Sequence, residues 1–425
     1  MTIASTASDL GFDQPPVFTP QRIAITAVLV LLTLAFAAVF ALGIWREAPL
    51  SNSYAALAQS WLDGQLHSQT CYDDDCALYE GRTYIIFPPM PAAVALPFVA
   101  VFGEDFAGFM PLSILAFIAS GMLWWRIFAA ETNSRDLSLL LVALVLFATP
   151  LAFVALRGDQ VWFFAQGIGF LFATAAIHSA LVSRNALAAG LFIGAAFLCR
   201  QMTILYLPFL YILLLDRDTP LFRIDLAAIR RVATLATGPF LAVLVYFAYN
   251  YARFGSPLET GYAYIFPPIW DVPGEAGTFL RDRVRELGLF SEQYLPFNAV
   301  YMFFAGPHVE FSGRYMTELS GFDINGASPF LVAPALLLAF LAPWDRRFFW
   351  GFLTVVLVMA LTLFYHSNGF SQYSAQRYAL DWLPVLMVFV ARGVRPAHLG
   401  PLAVITGYSM TVTLGMIALG GLLAG

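Results

Sequence analysis

The chain has 425 residues, 60% of them hydrophobic and 12% charged, with a formal net charge of −5 at pH 7. A mean hydropathy of +0.74 excludes an ordinary soluble domain, and apolar runs of about 20 residues, the length that crosses a bilayer, recur along most of it. All 22 basic residues are arginines, many of them in short loops, and nucleic acid is not an expected partner.

Residues 1–22 are polar and Pro-marked, with no basic start and no small-residue cleavage site, and read as a cytoplasmic tail. The apolar pattern then predicts an all-α polytopic membrane protein with about eleven transmembrane segments. They fall near 23–44, 106–128, 137–155, 161–182, a Pro-interrupted pair at 186–198 and 202–215, 232–252, 329–343, 348–365, 380–392 and 399–423. This divides the chain into an N-terminal transmembrane module over 23–252 that includes a first outer loop at 45–105, a large outer loop at 253–328, and C-terminal transmembrane helices over 329–425. Arg126, Arg135, Arg184, Arg230, Arg231, Arg346, Arg347, Arg392 and Arg395 mark alternate loops as cytoplasmic, because basic loops resist translocation. The acidic loops between them then face outward. Tryptophans such as Trp45, Trp124, Trp344 and Trp382 stand near predicted span ends, as amphipathic rings do at headgroup depth.

In the first outer loop, Tyr54, Leu57, Ala58, Trp61 and Leu62 recur at helical spacing, with Ser51 to Ser53 available as a cap and Gly64 as a stop. That pattern predicts an interfacial helix. Cys71 and Cys76 flank YDDD, and on the outer side of a membrane they are expected to close a disulfide. Residues Phe87 to Gly103 are too short and too Pro-broken to span, and are assigned a juxtamembrane position. A further surface helix is expected through Leu280, Val284 and Leu287.

The candidate chemistry lies in the outer loops. Asp73 and Asp74 read first as a solvated turn, since charge runs are usually exposed; a divalent cation there is admissible because hard cations take carboxylate oxygens, but no dedicated metal site is expected. Asp159 sits in a very short loop beside Arg157, as either a local ion pair or a functional acid. Arg82, Arg200, Arg253, Arg314 and Arg377 fall on or near the outer side, where an anionic ligand is the most economical reason to tolerate an arginine and pairing with the abundant outer carboxylates is the alternative.

Five stretches in fixed order then resemble a known family. They are YAALAQSWLDGQL (Tyr54 to Leu66), DCALYEGRTYIIFPPMPAAVALPF (Asp75 to Phe98), GLFIGAAFLCRQMTILYLPFL (Gly190 to Leu210), YNYARFGSPLETGY (Tyr249 to Tyr262) and QRYALDWLP (Gln376 to Pro384). Their order is similar to that of the GT-C superfamily of polytopic glycosyltransferases, particularly bacterial relatives of protein O-mannosyltransferases and lipid A aminoarabinose transferases. The resemblance implies transfer of a sugar from a polyprenyl-phosphate carrier to an acceptor hydroxyl, with inversion, on the outer face of the membrane. The acceptor would be a lipid, glycan or protein, and the localisation a bacterial inner membrane with the N-terminus cytoplasmic. It further implies a first-loop carboxylate as general base and basic residues on the carrier phosphate.

Such enzymes place the catalytic acid just ahead of the first-loop tyrosine, where this chain has Leu50, Ser51, Asn52 and Ser53. Either Glu47 or Asp75 takes over, or the chain binds a lipid-linked sugar without transferring it. Asp75 opens a match to the family's D-x-x-x-Y-x-G-[KR] pattern, so it is the expected base, with Asp159 as helper and Glu47 in reserve. Arg82 and Arg377 match basic positions and are the expected phosphate ligands, with Arg200 third. The alternatives are a lipid-linked sugar transporter or flippase and a non-catalytic membrane protein. Polarity gathered in asymmetric outer loops, rather than within the spans, favours the enzyme.

Overall fold

A computed structural model describes residues 20–46, 51–73, 75–216, 218–221, 225–265, 283–284, 286–370 and 372–422. The chain is a helical polytopic membrane protein. Six helices among the described residues are long and apolar enough to cross a membrane, and four shorter apolar helices accompany them. In order they begin with α1 (Pro20–Arg46), α2 (Ser53–Leu62), α3 (Met90–Phe102), α4 (Phe109–Thr132), α5 (Arg135–Phe147), α6 (Leu151–Leu156), α7 (Val161–Leu181) and α8 (Ala186–Phe197). They continue with α9 (Leu207–Leu214), α10 (Leu226–Phe254), α11 (Leu295–Ala299), α12 (Pro329–Val332), α13 (Arg346–Leu363), α14 (Leu383–Gly393) and α15 (Leu399–Ile417).

Among the described residues, prolines divide two of the predicted segments. Pro150 has no N–H to donate, and the predicted 137–155 segment becomes α5 and α6. The 329–343 segment likewise breaks before Pro334 into α12 and a 3-10 helix, Pro334–Leu341. Burial orders what remains: 78% of the apolar window of α7 is enclosed against 17% for the first helix, so α7 is the axis of the bundle and α1 lies at its edge.

Small residues let helices α8 and α10 touch backbone to backbone. A side chain at Gly190 would run into the Leu235 carbonyl, and one at Gly194 into Gly238; this is the close approach that small residues spaced by four permit in lipid. At the end of the bundle away from the first loop, ion pairs tie three helices together. Arg392 reaches Asp345 at 2.6 Å and Glu131 at 3.6 Å, and Arg347 reaches Glu131 at 3.8 Å.

At the opposite end the expected helix forms as α2, capped by Asn52, whose Oδ1 accepts from Tyr54 N at 2.9 Å. Its apolar face is covered by protein. Tyr54, Ala55, Leu57 and Ala58 are at most 1% exposed, because α3 and the loop that follows enclose them. Helix α3 has 13 residues, about 20 Å at 1.5 Å per residue, too short to span and in keeping with a juxtamembrane position. Trp124 and Trp382 are fully buried, Trp382 stacking on Phe330 at 5.7 Å, whereas Trp45 and Trp344 are exposed. Only the latter two therefore stand where an interfacial ring would. Of the helix predicted through Leu280, that residue lies outside the described residues, while Val284 and Leu287 are helical.

Two antiparallel hairpins interrupt the helical plan: β1 (Cys76–Tyr79) with β2 (Arg82–Ile85), and β3 (Val309–Ser312) with β4 (Glu318–Phe322). Glu80 and Gly81 take φ of 50° and 73° in the two-residue turn of the first. Two successive positive φ values match the right-handed twist of paired strands, and glycine adopts one without strain.

Candidate active site

The first loop is fastened over the bundle end through the tip of α2 and the β1–β2 hairpin. Cys71 and Cys76 are joined by a disulfide, with Cα atoms 6.3 Å apart. Between them Asp73 turns inward: its Oδ2 accepts from Ser53 N at 3.2 Å and from Ser53 Oγ at 2.5 Å. A carboxylate on the first amides of a helix is stabilised by donors that have no partner within the helix. Asp73 is therefore not the solvated turn that its place in a charge run predicts. Asn52 Nδ2 donates to the Asp159 backbone carbonyl at 3.0 Å, which seats the same helix end on the α6–α7 turn.

Asp75 stands next to β1, and its Oδ2 accepts from Trp162 Nε1 at 2.8 Å at the start of α7. Arg200 ends the α8 segment ahead of the 3-10 helix Gln201–Tyr206 and grips Asp381 with two donors, Nε to Oδ1 at 2.9 Å and Nη2 to Oδ2. Its guanidinium lies 4.9 Å from the Tyr378 ring centroid. Both sequence candidates act electrostatically on Tyr262. Burial raises the Tyr262 hydroxyl to about 12; it hydrogen-bonds with Tyr365 and lies within electrostatic reach of Tyr378, Asp75 and Arg200. Burial lifts the Tyr54 hydroxyl well above the usual tyrosine range, with Cys199, Tyr262 and Asp73 adding to the effect and Arg200 opposing it, and the hydroxyl has no hydrogen-bond partner.

Arg377 is placed differently. It is 5% exposed; Nε and Nη2 donate to the Gly369 carbonyl at 2.8 and 2.5 Å, and Nη1 to Gln166 Oε1 at 2.8 Å. Its plane covers Phe163 at 4.6 Å. With those donors engaged it braces the 3-10 helix Arg377–Asp381, which carries Tyr378 and Asp381, from beneath. Arg82 opens β2 and is exposed, on the rim. Arg253 is also enclosed, donating to the Ile85 carbonyl and to Asn250 at 2.8 Å each, and so pins the hairpin to α10.

Asp159 lies beside the cluster. Its carboxylate is 3.8 Å from Arg157 Nε, and burial pushes its pKa upward against the opposing effect of that arginine. Glu47 lies outside the described residues. Among the described residues no three His, Cys, Asp or Glu side chains gather as a metal site. Sequence reasoning missed three participants: Asp73, Asp381 and Tyr262. Asp381 and Tyr262 had a signal, their places in QRYALDWLP and YNYARFGSPLETGY.

No family model and no curated protein matches the chain. Two solved structures overlap it. One is ArnT from Cupriavidus metallidurans bound to undecaprenyl phosphate, 15% identical, with a TM-score of 0.49 over 89% of this chain and 62% of that one. The other is the Archaeoglobus fulgidus oligosaccharyltransferase in the apo form, 13% identical, with a TM-score of 0.48 over 93% of this chain and 55% of that one. The chain thus spans less than two thirds of either protein. Likeness at this level carries no functional argument.

Proposed function

We propose that this chain is a GT-C-type membrane glycosyltransferase that moves a sugar from a polyprenyl-phosphate carrier to an acceptor hydroxyl on the outer face of the membrane. The observation that carries the reading is that an acid and a cation are each fixed at one end of an apolar bundle, Asp75 by Trp162 on a disulfide-closed loop and Arg200 by Asp381, and both act on the Tyr262 hydroxyl. An acid and a cation fixed in place are the groups such a transfer needs. Asp75 and Arg200 lie in two of the five stretches on which the sequence resemblance rests.

In this reading Asp75 accepts the proton of the acceptor hydroxyl as its oxygen attacks the anomeric carbon. The bond from that carbon to the carrier phosphate breaks on the opposite side, so configuration inverts. Charge growing on the departing phosphate is met by Arg200, with Arg82 approaching from the rim. Trp162 orients the Asp75 carboxylate, and Asp381 orients Arg200. Asp73 holds the loop on α2, Asp159 seats the same helix end, and Arg377 supports the turn that carries Asp381. Glu47 is the reserve base.

The test is transfer from a polyprenyl-phosphate sugar in membranes bearing the parent chain or Asp75→Asn. General acid–base groups contribute typically 100- to 10,000-fold, so a loss in that range with unchanged insertion supports the assignment. Full activity in the variant moves the base elsewhere.

A further inference from the structure

We propose that the Cys71–Cys76 disulfide is a redox-sensitive positioning element, and that transfer is competent only when this pair is oxidised. The inference rests on the reading of Asp75 as a catalytic residue and of Asp73 as its anchor.

The ring closed by the disulfide contains both carboxylates, and they hold different parts of the protein. Asp73 is bonded to Ser53 at the tip of α2, and Asp75 to Trp162 at the start of α7. The loop is also fastened through Thr70 and Tyr72, which hydrogen-bond with Glu104, and at its feet. Cys76 pairs with Ile85 in the hairpin, and Ser68 N donates to the Thr83 carbonyl at 2.8 Å. Both feet keep their partners when the sulfur bond is broken, so reduction frees the loop without dismantling the sheet. What is lost is the short tether that limits how far residues 72–75 can wander, and with it the entropic advantage of the two carboxylate contacts.

The two sulfurs differ in access. Cys71 is exposed and Cys76 is fully buried, so an external thiolate attacks at Cys71. A dithiol reductant supplies two electrons and two protons: the Sγ–Sγ bond breaks, both cysteines become thiols, and the reductant closes to its own disulfide. An oxidised dithiol partner reverses the step with the same balance. Cys199, the other cysteine, is 1% exposed and does not compete.

The experiment compares the full-length chain in lipid nanodiscs, oxidised or treated with dithiothreitol. Hydrogen exchange is read at the Ser53 amide, whose N–H donates to Asp73, and transfer is read from a polyprenyl-phosphate sugar. Reduction is expected to speed exchange at Ser53 at least tenfold and to lower transfer at least tenfold. Cys71→Ser should show the reduced behaviour in both readouts with or without reductant. Unchanged exchange at Ser53 overturns the positioning claim, and faster exchange with undiminished transfer overturns the claim of control. If the oxidised chain shows no transfer, the glycosyltransferase reading fails, and the competence claim falls with it. Exchange at Ser53 is read without substrate, so failure of the tether alone is recognised separately.

Discussion

Removing the Asp381 carboxylate should destabilise the protein through Arg200. The two side chains are 181 residues apart in sequence and share two charge-assisted hydrogen bonds. Asp381 is 4% exposed and Arg200 24%, so Asp381→Ala leaves a mostly buried guanidinium without its counter-charge. Breaking a buried pair from one side costs about 3–5 kcal/mol, and the partial exposure of Arg200 places the expected loss near the lower bound, about 3 kcal/mol. At roughly 2 °C per kcal/mol for a large domain, the thermal midpoint in detergent should fall by about 6 °C. Tyr206→Phe is the control for local packing, because Tyr206 donates to the Asp381 backbone carbonyl at 2.8 Å and not to the carboxylate. The decisive comparison is the double variant Arg200→Met with Asp381→Leu, which removes both charges and should recover most of the lost stability without recovering activity. If the losses measured for Arg200→Met and Asp381→Leu singly simply add in the double variant, the pair is not coupled and the reasoning fails.

Three further outcomes follow from the geometry. Gly238→Leu should separate α8 from α10, since any side chain there meets the Gly190 backbone; a fall in detergent-resistant folded yield would show it, and a parent-like yield would not. Burial raises the Asp159 carboxyl above the ordinary aspartate value, so the native state binds this proton more tightly than the unfolded chain, and its contribution to stability is lost as pH rises through the native value. Asp159→Asn should therefore stabilise the protein at pH 7, with the gain shrinking as pH falls toward the ordinary aspartate range; an equal gain at all pH values would refute the assignment. His366 shows the opposite sign. Burial, aided by Arg283, pulls its imidazole from 6.5 to about 4, so acidification from pH 6.5 to about 4 should cost roughly 3 kcal/mol of stability. His366→Phe should flatten that part of the thermal profile.

Local pattern made the bundle legible, and long-range pairing hid the site. Apolar runs placed α1, α4, α7, α10 and α13 within a few residues, because a span must be continuous to satisfy its backbone in lipid. Helix α2 was visible in its spacing, but not its burial, which depends on α3 closing over it. Trp124 and Trp382 looked interfacial because a tryptophan near a span end is the same letter whether it faces a headgroup or a neighbouring ring. The β1–β2 hairpin went unread although Glu80 and Gly81 carry its turn, since the strands contain only four residues each. Asp73 was hidden for a different reason. Its run of three acids resembles a solvated turn, and only the fold brings Ser53 to meet it. The same holds for Arg200 with Asp381, where the sequence gives a basic and an acidic position without a reason to pair them.

The measurement closest to the central claim is sugar transfer to a hydroxyl acceptor by the purified chain in nanodiscs supplied with a polyprenyl-phosphate sugar, parent beside Asp75→Asn. The account predicts release of free polyprenyl phosphate and an inverted glycosidic product from the parent, and at least a 100-fold slower rate from the folded variant. Equal rates from the two chains, or a parent that binds the carrier and releases no phosphate, would contradict it.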